Sequence, residues 1–467
     1  RRFGFRIRPE PVKMKKIALT IIALACTLSL GAQDSHMLSA AGITPQRLYI
    51  NPAIMPEHSY MSIPLIGSIG LNVGTSLGYR SLVKNGYIDG ASLARDMKDK
   101  AFRTDISLDI FSFGIRFRED NLISVSNRLR VGLGTGYPSG LLGYIFDNPI
   151  DYSGSFDIPL KADILAWNET AIGYSRRIND NWSVGGRVKY VMGLARVDTR
   201  STGFRIEKNI MGSTVTGDVD ITGGNINFGG DKLFDPANLT SSPGAAFDIG
   251  AAWSSDDARW RIGAAISDIG FIRWSGKSSS RIYSSETAEY RFDGFGDLDE
   301  IFGSSSFDDM LDSVYNELLD CMELDTLSGY AHTGMMPLTV NVSGEFDVRG
   351  DKRHVVSLDL LGTFNMHQPL YYAVTAGYRY TTDNGRFSAI ATLSHKRVDP
   401  VSIGVGLMAN TRNFQFFMLG DTSVYALAGN LRKTSGMSLR MGFNFFFGND
   451  DGYCPRGGEK YRYVNSF

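Results

Sequence analysis

The residue type best suited to catalysis or metal binding in this chain is histidine, and the spacing of the six histidines assembles nothing. His36, His58, His332, His354, His367 and His395 are scattered and make no ligand cluster. There is no Gly-x-Ser-x-Gly elbow, no His-Glu-x-x-His and no phosphate loop. No catalytic residue, metal ligand or cofactor site is assigned, and a non-enzymatic protein is expected. The histidines near strand ends are expected at a rim or interface. Charged residues instead interrupt apolar stretches singly, at every second position. Arg187, Asp248, Glu345, Asp359, Arg379 and Arg440 are all placed this way. Such residues are expected to line a wet lumen, where they tune selectivity or pair across it. One further step has a chemical logic of its own. Asn51-Pro52-Ala53 lies just before the first strand, and its Asn turns or caps the chain while its Pro stops a helix. It reads either as a compact hatch that gates a ligand or as a simple turn into that strand.

The elements that must position these residues are strands. From Ile69 onward the sequence alternates apolar and polar residues with period two. Val356, Leu358 and Leu360 face away from Ser357 and Asp359, and Val401, Ile403, Val405 and Leu407 oppose Ser402, Gly404, Gly406 and Asn410. The pattern recurs over 184–194, 247–253, 260–266, 338–349, 372–381 and 387–393. Turn signals at 178–181, 349–352 and 382–385 join neighbouring runs as hairpins. Apolar outer faces with Gly, Ser, Thr, Asn, Arg and Asp on the other face suit a transmembrane barrel better than a soluble sandwich. About 14 strands are expected (12 to 16), in an all-β antiparallel transmembrane barrel with an N-terminal hatch and a few short helical insertions. Trp182, Trp253, Trp260, Trp274, Tyr371 and Tyr380 are assigned to an aromatic girdle at the strand ends.

Composition agrees. Among 467 residues there are 52 Gly, 15 Pro and 12% aromatics, a balance that favours many strands and turns. The net charge of −1 shows no basic stripe, which excludes a nucleic-acid partner. Mean hydropathy is −0.11, and beyond the N-terminus no apolar run reaches the 18 or so residues of a spanning helix. Met14-Lys15-Lys16, the apolar stretch 17–30 and Ala32 read as a secretory signal over about residues 14–32. A lipoprotein signal ending at Cys26 is the weaker alternative. Cys321 and Cys454 are expected as one disulfide or as two free thiols. The chain divides into 1–32 (upstream residues and signal), 33–68 (hatch or plug), 69–447 (barrel) and 448–467 (tail). Insertions interrupt the barrel. Residues 91–103 are expected to be helical, 138–148 an apolar turn or short helix, and 297–327 an acidic amphipathic segment serving as a cap, a plug or a partner-binding helix. Residues 421–434 are read as a short strand or a loop with a helical turn.

The strand carrying Met437, Leu439, Met441, Phe443, Phe445 and Phe447 resembles the closing strand of outer-membrane barrels, whose terminal aromatic the assembly machinery reads. The tail aromatics Tyr461, Tyr463 and Phe467 are a weaker candidate for that role. The segment AAGITPQRLYINPAIMP (40–56) resembles the hatch of long-chain fatty-acid transporter-like barrels, in which an Asn-Pro-Ala step folds inside the lumen. The stretches 184–197, 243–274 and 438–448 look like strand pairs of the same superfamily. The likeness is greatest to an uncharacterised Bacteroidota family of secreted barrels related to those transporters and to the type IX secretion shuttle barrel. It implies an outer-membrane location, contact with outer-membrane lipid and the barrel-assembly machinery, a monomer, and a plugged channel for a small hydrophobic or amphipathic ligand. The Gly-rich start of the transporter hatch is absent here. That absence, with the acidic insertion, motivates a second reading: an interaction barrel that meets a secretion-system protein or handles surface proteins.

Overall fold

The structure, a computed structural model, describes residues 36–42, 44–64, 67–75, 101–118, 120–136, 154–159, 162–199, 202–209, 212–228, 232–284, 288–292, 324–365, 368–397, 401–424 and 436–447. In chain order the strands of the first half are β1 (Ser59–Ser62), β2 (Ile69–Thr75), β3 (Ala101–Phe117), β4 (Asn121–Gly136), β5 (Gly154–Pro159), β6 (Ala162–Arg177), β7 (Trp182–Thr199), β8 (Gly203–Asn209), β9 (Gly212–Asp218), β10 (Asp220–Gly224), β11 (Pro243–Ser254) and β12 (Trp260–Trp274). Those of the second half are β13 (Ser280–Ser284), β14 (Ala288–Phe292), β15 (Leu324–Ser328), β16 (His332–Met335), β17 (Leu338–Asp347), β18 (His354–Asn365), β19 (Gln368–Thr381), β20 (Phe387–Lys396), β21 (Ser402–Asn410), β22 (Phe414–Ser423) and β23 (Gly436–Phe447).

Antiparallel pairing closes a ring: β3-β4-β6-β7-β11-β12-β17-β18-β19-β20-β21-β22-β23, with β1 and β2 together filling the last position between β23 and β3. The barrel has 14 strands, as the alternation predicts. Closure runs through the strand ending in Phe447, where Ser59 pairs with Phe447, Tyr60 with Phe446 and Ile69 with Met441. The ring thus begins at Ser59, before the expected Ile69, and β1 and β2 are one strand interrupted over 63–68. Closure leaves no edge strand in the ring, and period two sorts its two faces. Val188 (71% exposed) and Val405 (68%) point outward, whereas Lys189 (1%) and Glu169 (1%) point inward. Tight turns over 178–181, 255–259, 348–353, 382–386 and 411–413 close one end, and the longer connections lie at the other.

At that long-loop end the wall continues. β10 pairs with the last residues of β7, β13 with β10, β15 with β13, and β16 with the last residues of β12. A separate antiparallel sheet runs β14-β9-β8-β5. Two expectations about insertions are corrected here. Residues 101–103 open β3 rather than ending a helix, and 324–327 lie in strand β15 rather than in a helix. Residues 421–423 complete β22. The rest of those insertions, residues 138–148, the signal, the tail, His367 and all three cysteines lie outside the described residues.

Bulges break the alternation, and they correct the girdle. On β12 the inward residues are Gly263, Ala265 and Ser267, but after an extra residue at Asp268 they become Ile272 and Trp274. Asp268 takes a left-handed φ of 63° at this step. Trp274 shares the sequence parity of Trp260, yet it is fully buried inside while Trp260 is half exposed outside. Tyr371 also faces inward, because it is one residue from the outward Tyr372. Trp182, Trp260 and Tyr380 are exposed at the tight-turn end, with Trp253 half-buried beside them.

Candidate functional site

The N-terminal segment folds into the lumen. Helix α1 (His36–Ala41) and a 3-10 turn (Pro45–Tyr49, with Pro45 opening it) lead to Asn51. A six-residue helix has little stability of its own, so its packing must hold it. Met37, Leu38, Ala40, Ala41 and Ile50 meet an apolar patch on the inner wall built by Ile390, Met408, Phe417 and Leu419. On the next arc of the wall Leu48 and Met55 pack with Tyr60, Leu122 and Phe446, the inward-facing neighbour of Phe445 and Phe447. Phe443, Phe445 and Phe447 themselves lie on the outer face of the closing strand, with Phe113 stacked on Phe447 at 5.6 Å.

Polar contacts then fix the segment in register with the wall. Asn51 is wholly buried. Its amide nitrogen donates to the carbonyls of Ala251 (3.1 Å) and Ala264 (3.3 Å) on adjacent strands, while its oxygen accepts from the N–H of Ala53 at 2.9 Å. Ser175 donates to the Pro52 carbonyl at 2.5 Å and Ser183 to that of Ala53 at 3.0 Å. Gln46 joins an amide chain through Asn444 to Gln415 and Asn410. Arg47 pairs with buried Glu345 at 2.8 Å, and Arg261 and Arg379 reach the same carboxylate at 3.5 and 4.0 Å. Gly42, at a φ of 80°, allows Arg379 to pass and to donate to the Ala40 carbonyl at 3.1 Å. Ser39 donates to Asp359 at 2.6 Å. These contacts fall mostly on the lower wall, toward the tight turns.

Above this plug lies a charged layer. Lys189 lies 2.8 Å from Asp248, 2.6 Å from Asp268 and 3.8 Å from Glu169. Arg187 pairs with Asp248 at 3.3 Å, Arg130 with Asp268 at 2.7 Å, and Arg128 with Glu169. All seven side chains are buried, and losing one partner of such a set costs about 3–5 kcal/mol because the other charge is stranded. Tyr49 rises from the plug into the layer and donates to Asp109 at 2.9 Å, with Arg128 3.9 Å over its ring. Burial, reinforced by Asp109, pushes the Tyr49 hydroxyl well above its ordinary value, so it stays a donor. A cavity opens over Tyr49 and Ile50, walled by Arg103, Arg128, Arg130, Trp167, Leu361 and Tyr371.

The structure brings together only some of the residues singled out from sequence. Arg187 and Asp248 meet in the charged layer. Asp359 and Arg379 hold the plug instead. Arg440, also inward, donates to Ser107 at 2.6 Å. Asn51, Pro52 and Ala53 form the plug's contact with β6, β7, β11 and β12. Lys189, Glu169, Asp268, Arg128 and Arg130 were not singled out, although charged residues at 128 and 130, flanking Leu129, carry the same alternating signal. Trp167 and Tyr49 carried no such mark. Among the described residues no His, Cys, Asp and Glu gather in threes as metal ligands would. His354 and His395 lie outside the lumen beside Tyr378 (2.7 Å) and Tyr372 (3.4 Å); His354 is half-buried and His395 exposed.

A family model described as a family of unknown function (DUF5723) matches residues 52–421. No curated protein matches the chain. Among solved structures it is similar to the Ralstonia pickettii toluene transporter TbuX (10% identity, TM-score 0.45, 90% of this chain and 100% of that one). It is likewise similar to the P. putida toluene transporter TodX (10%, 0.44, 90% and 100%) and to a Pseudomonas aeruginosa FadL homologue (11%, 0.44, 90% and 100%).

Proposed function

The chain belongs to this family of unknown function, DUF5723, and from its own geometry we propose that it is an outer-membrane barrel that admits a small amphipathic molecule through a lumen stoppered by its N-terminal hatch. The carrying observation is the seating of Asn51-Pro52-Ala53 on four wall strands of a closed ring, with a cavity left above it. Several features support the membrane. The outward face is apolar on strand after strand, with tryptophans and tyrosines at the tight-turn end. Short turns at one end and long loops at the other suit a periplasmic and an outer side respectively. Export would use the signal read over about 14–32.

The test is swelling of proteoliposomes in sucrose. The intact barrel is expected to exclude sucrose, and a barrel lacking 36–56 to admit it. Equal swelling rates for the two would sink the reading. A second reading keeps one observation: among the described residues the sheet β14-β9-β8-β5 gives its two outer strands, β5 and β14, one neighbour each. Such edges suit strand addition by a secretion or surface-protein partner. Retention of every co-purifying protein after removal of 203–218 would refute it.

A further inference from the structure

The cavity over the plug carries a repeated pattern. Three arginines on its wall are each laid over an aromatic ring: Arg103 over Tyr371 at 4.8 Å, Arg130 over Trp167 at 4.6 Å and Arg128 over Tyr49 at 3.9 Å. Each is also matched to a carboxylate. Arg103 grips Asp105 with two nitrogens at 2.8 and 3.2 Å, Arg130 meets Asp268 at 2.7 Å and Arg128 meets Glu169. A guanidinium donates in its plane and stacks through its faces. Each carboxylate engages one or two in-plane nitrogens and holds the guanidinium flat against its ring, so each pair presents a planar surface to the cavity. The wall also carries the carboxylate of Asp163 and the hydroxyls of Thr339 and Thr363 (3.4 Å apart) and Ser267.

We infer that this cavity binds a flat, neutral, polar ring, such as a heteroaromatic amide, stacked among the arginine–aromatic pairs and hydrogen-bonded at its edge. The inference rests on the plugged-lumen reading and names its ligand class. A free carboxylate competes with Asp105, Asp268 and Glu169 for these guanidiniums and meets Asp163 as well, so it is disfavoured. A hydrocarbon would strip water from charged groups without replacing their hydrogen bonds. A flat ring with polar edges meets both demands, since stacking tolerates any π face.

The test is equilibrium dialysis of the full barrel in detergent against nicotinamide, benzoate and toluene, with detergent-only controls. Nicotinamide is expected to saturate, and to bind about tenfold (about 1.4 kcal/mol) more tightly than benzoate or toluene, since all three stack but only it brings a neutral edge that hydrogen-bonds. Trp167→Leu and Tyr371→Leu, each verified by heat-modifiable gel migration, should each weaken nicotinamide several-fold. Either variant that folds is sufficient for the comparison. Tighter benzoate or toluene, or nicotinamide binding indifferent to the folded variants, would overturn the inference. So would the absence of saturable nicotinamide binding to a barrel that excludes sucrose. A barrel that leaks sucrose with its hatch in place overturns the underlying reading instead.

Discussion

Asn51 places both ends of its amide on partners that no other residue type serves together. The nitrogen donates to two carbonyls on neighbouring strands and the oxygen accepts from Ala53. Removing one side of such a buried set costs about 1–3 kcal/mol. Asn51→Ala should therefore loosen the hatch and let sucrose through in the swelling assay. Asn51→Asp should leak more, because an ionised carboxylate cannot donate and faces two carbonyl oxygens. Equal exclusion by wild type and both variants would remove Asn51 from the latch. At the tight-turn end Lys352 offers a pH test outside the membrane. Burial, then the Arg261 charge, lowers its amine from 10.5 to about 8. The unfolded chain then binds more protons between pH 8 and 10.5, so the charged lysine penalises the fold below pH 8 and the penalty fades as pH rises. Lys352→Met should raise the temperature of gel-mobility loss at pH 7 and lose that advantage by about pH 10.5. A gain that is the same at both values would reject the assignment. Neither role was legible from residue type: Asn51 was marked as a turn or cap in the Asn51-Pro52-Ala53 step rather than as a bond to the wall, and Lys352 by nothing except its place in a turn.

At the scale of elements, the hatch fits because the wall is thin where it docks. A Cβ on Gly185 would stand 2.1 Å from the Pro52 carbonyl, whereas one on Gly344 meets nothing within 4 Å. Gly185→Ala should unseat the hatch and admit sucrose while the barrel keeps its heat-modifiable migration. Gly344→Ala, the matched control, should do neither, and a Gly185→Ala barrel as tight as wild type would place the hatch elsewhere. Period two correctly read the faces of β17, β18, β19, β21 and β23, because each pairs without a shift over the residues quoted. It failed past Asp268 of β12. A bulge is set by how two strands share hydrogen bonds, and one extra residue inverts every side chain beyond it. That inversion put Trp274 into the interior core with Trp167, Val191 and Ile272.

For the whole molecule, closure is the property to test. The ring is complete at Phe447, whose strand bonds to β22 on one side and to β1 and β2 on the other. Deleting 448–467 should leave a heat-modifiable barrel, whereas deleting from 436 onward should abolish it by exposing two edges. Loss of heat-modifiability in the shorter deletion would assign the closing role to the tail. The sequence by itself determined the class of structure, the approximate strand number and the inward parity of most lumenal residues, because a barrel wall repeats one local rule along every strand. Only the tertiary structure decided which charges meet. Lys189 finds Asp248 and Asp268 across strands β7, β11 and β12, Arg47 finds Glu345 from a segment far away in the chain, and Arg130 finds Trp167 on the next strand. Those partners depend on register, on bulges and on the path of the hatch, all of which are settled by pairing between distant segments.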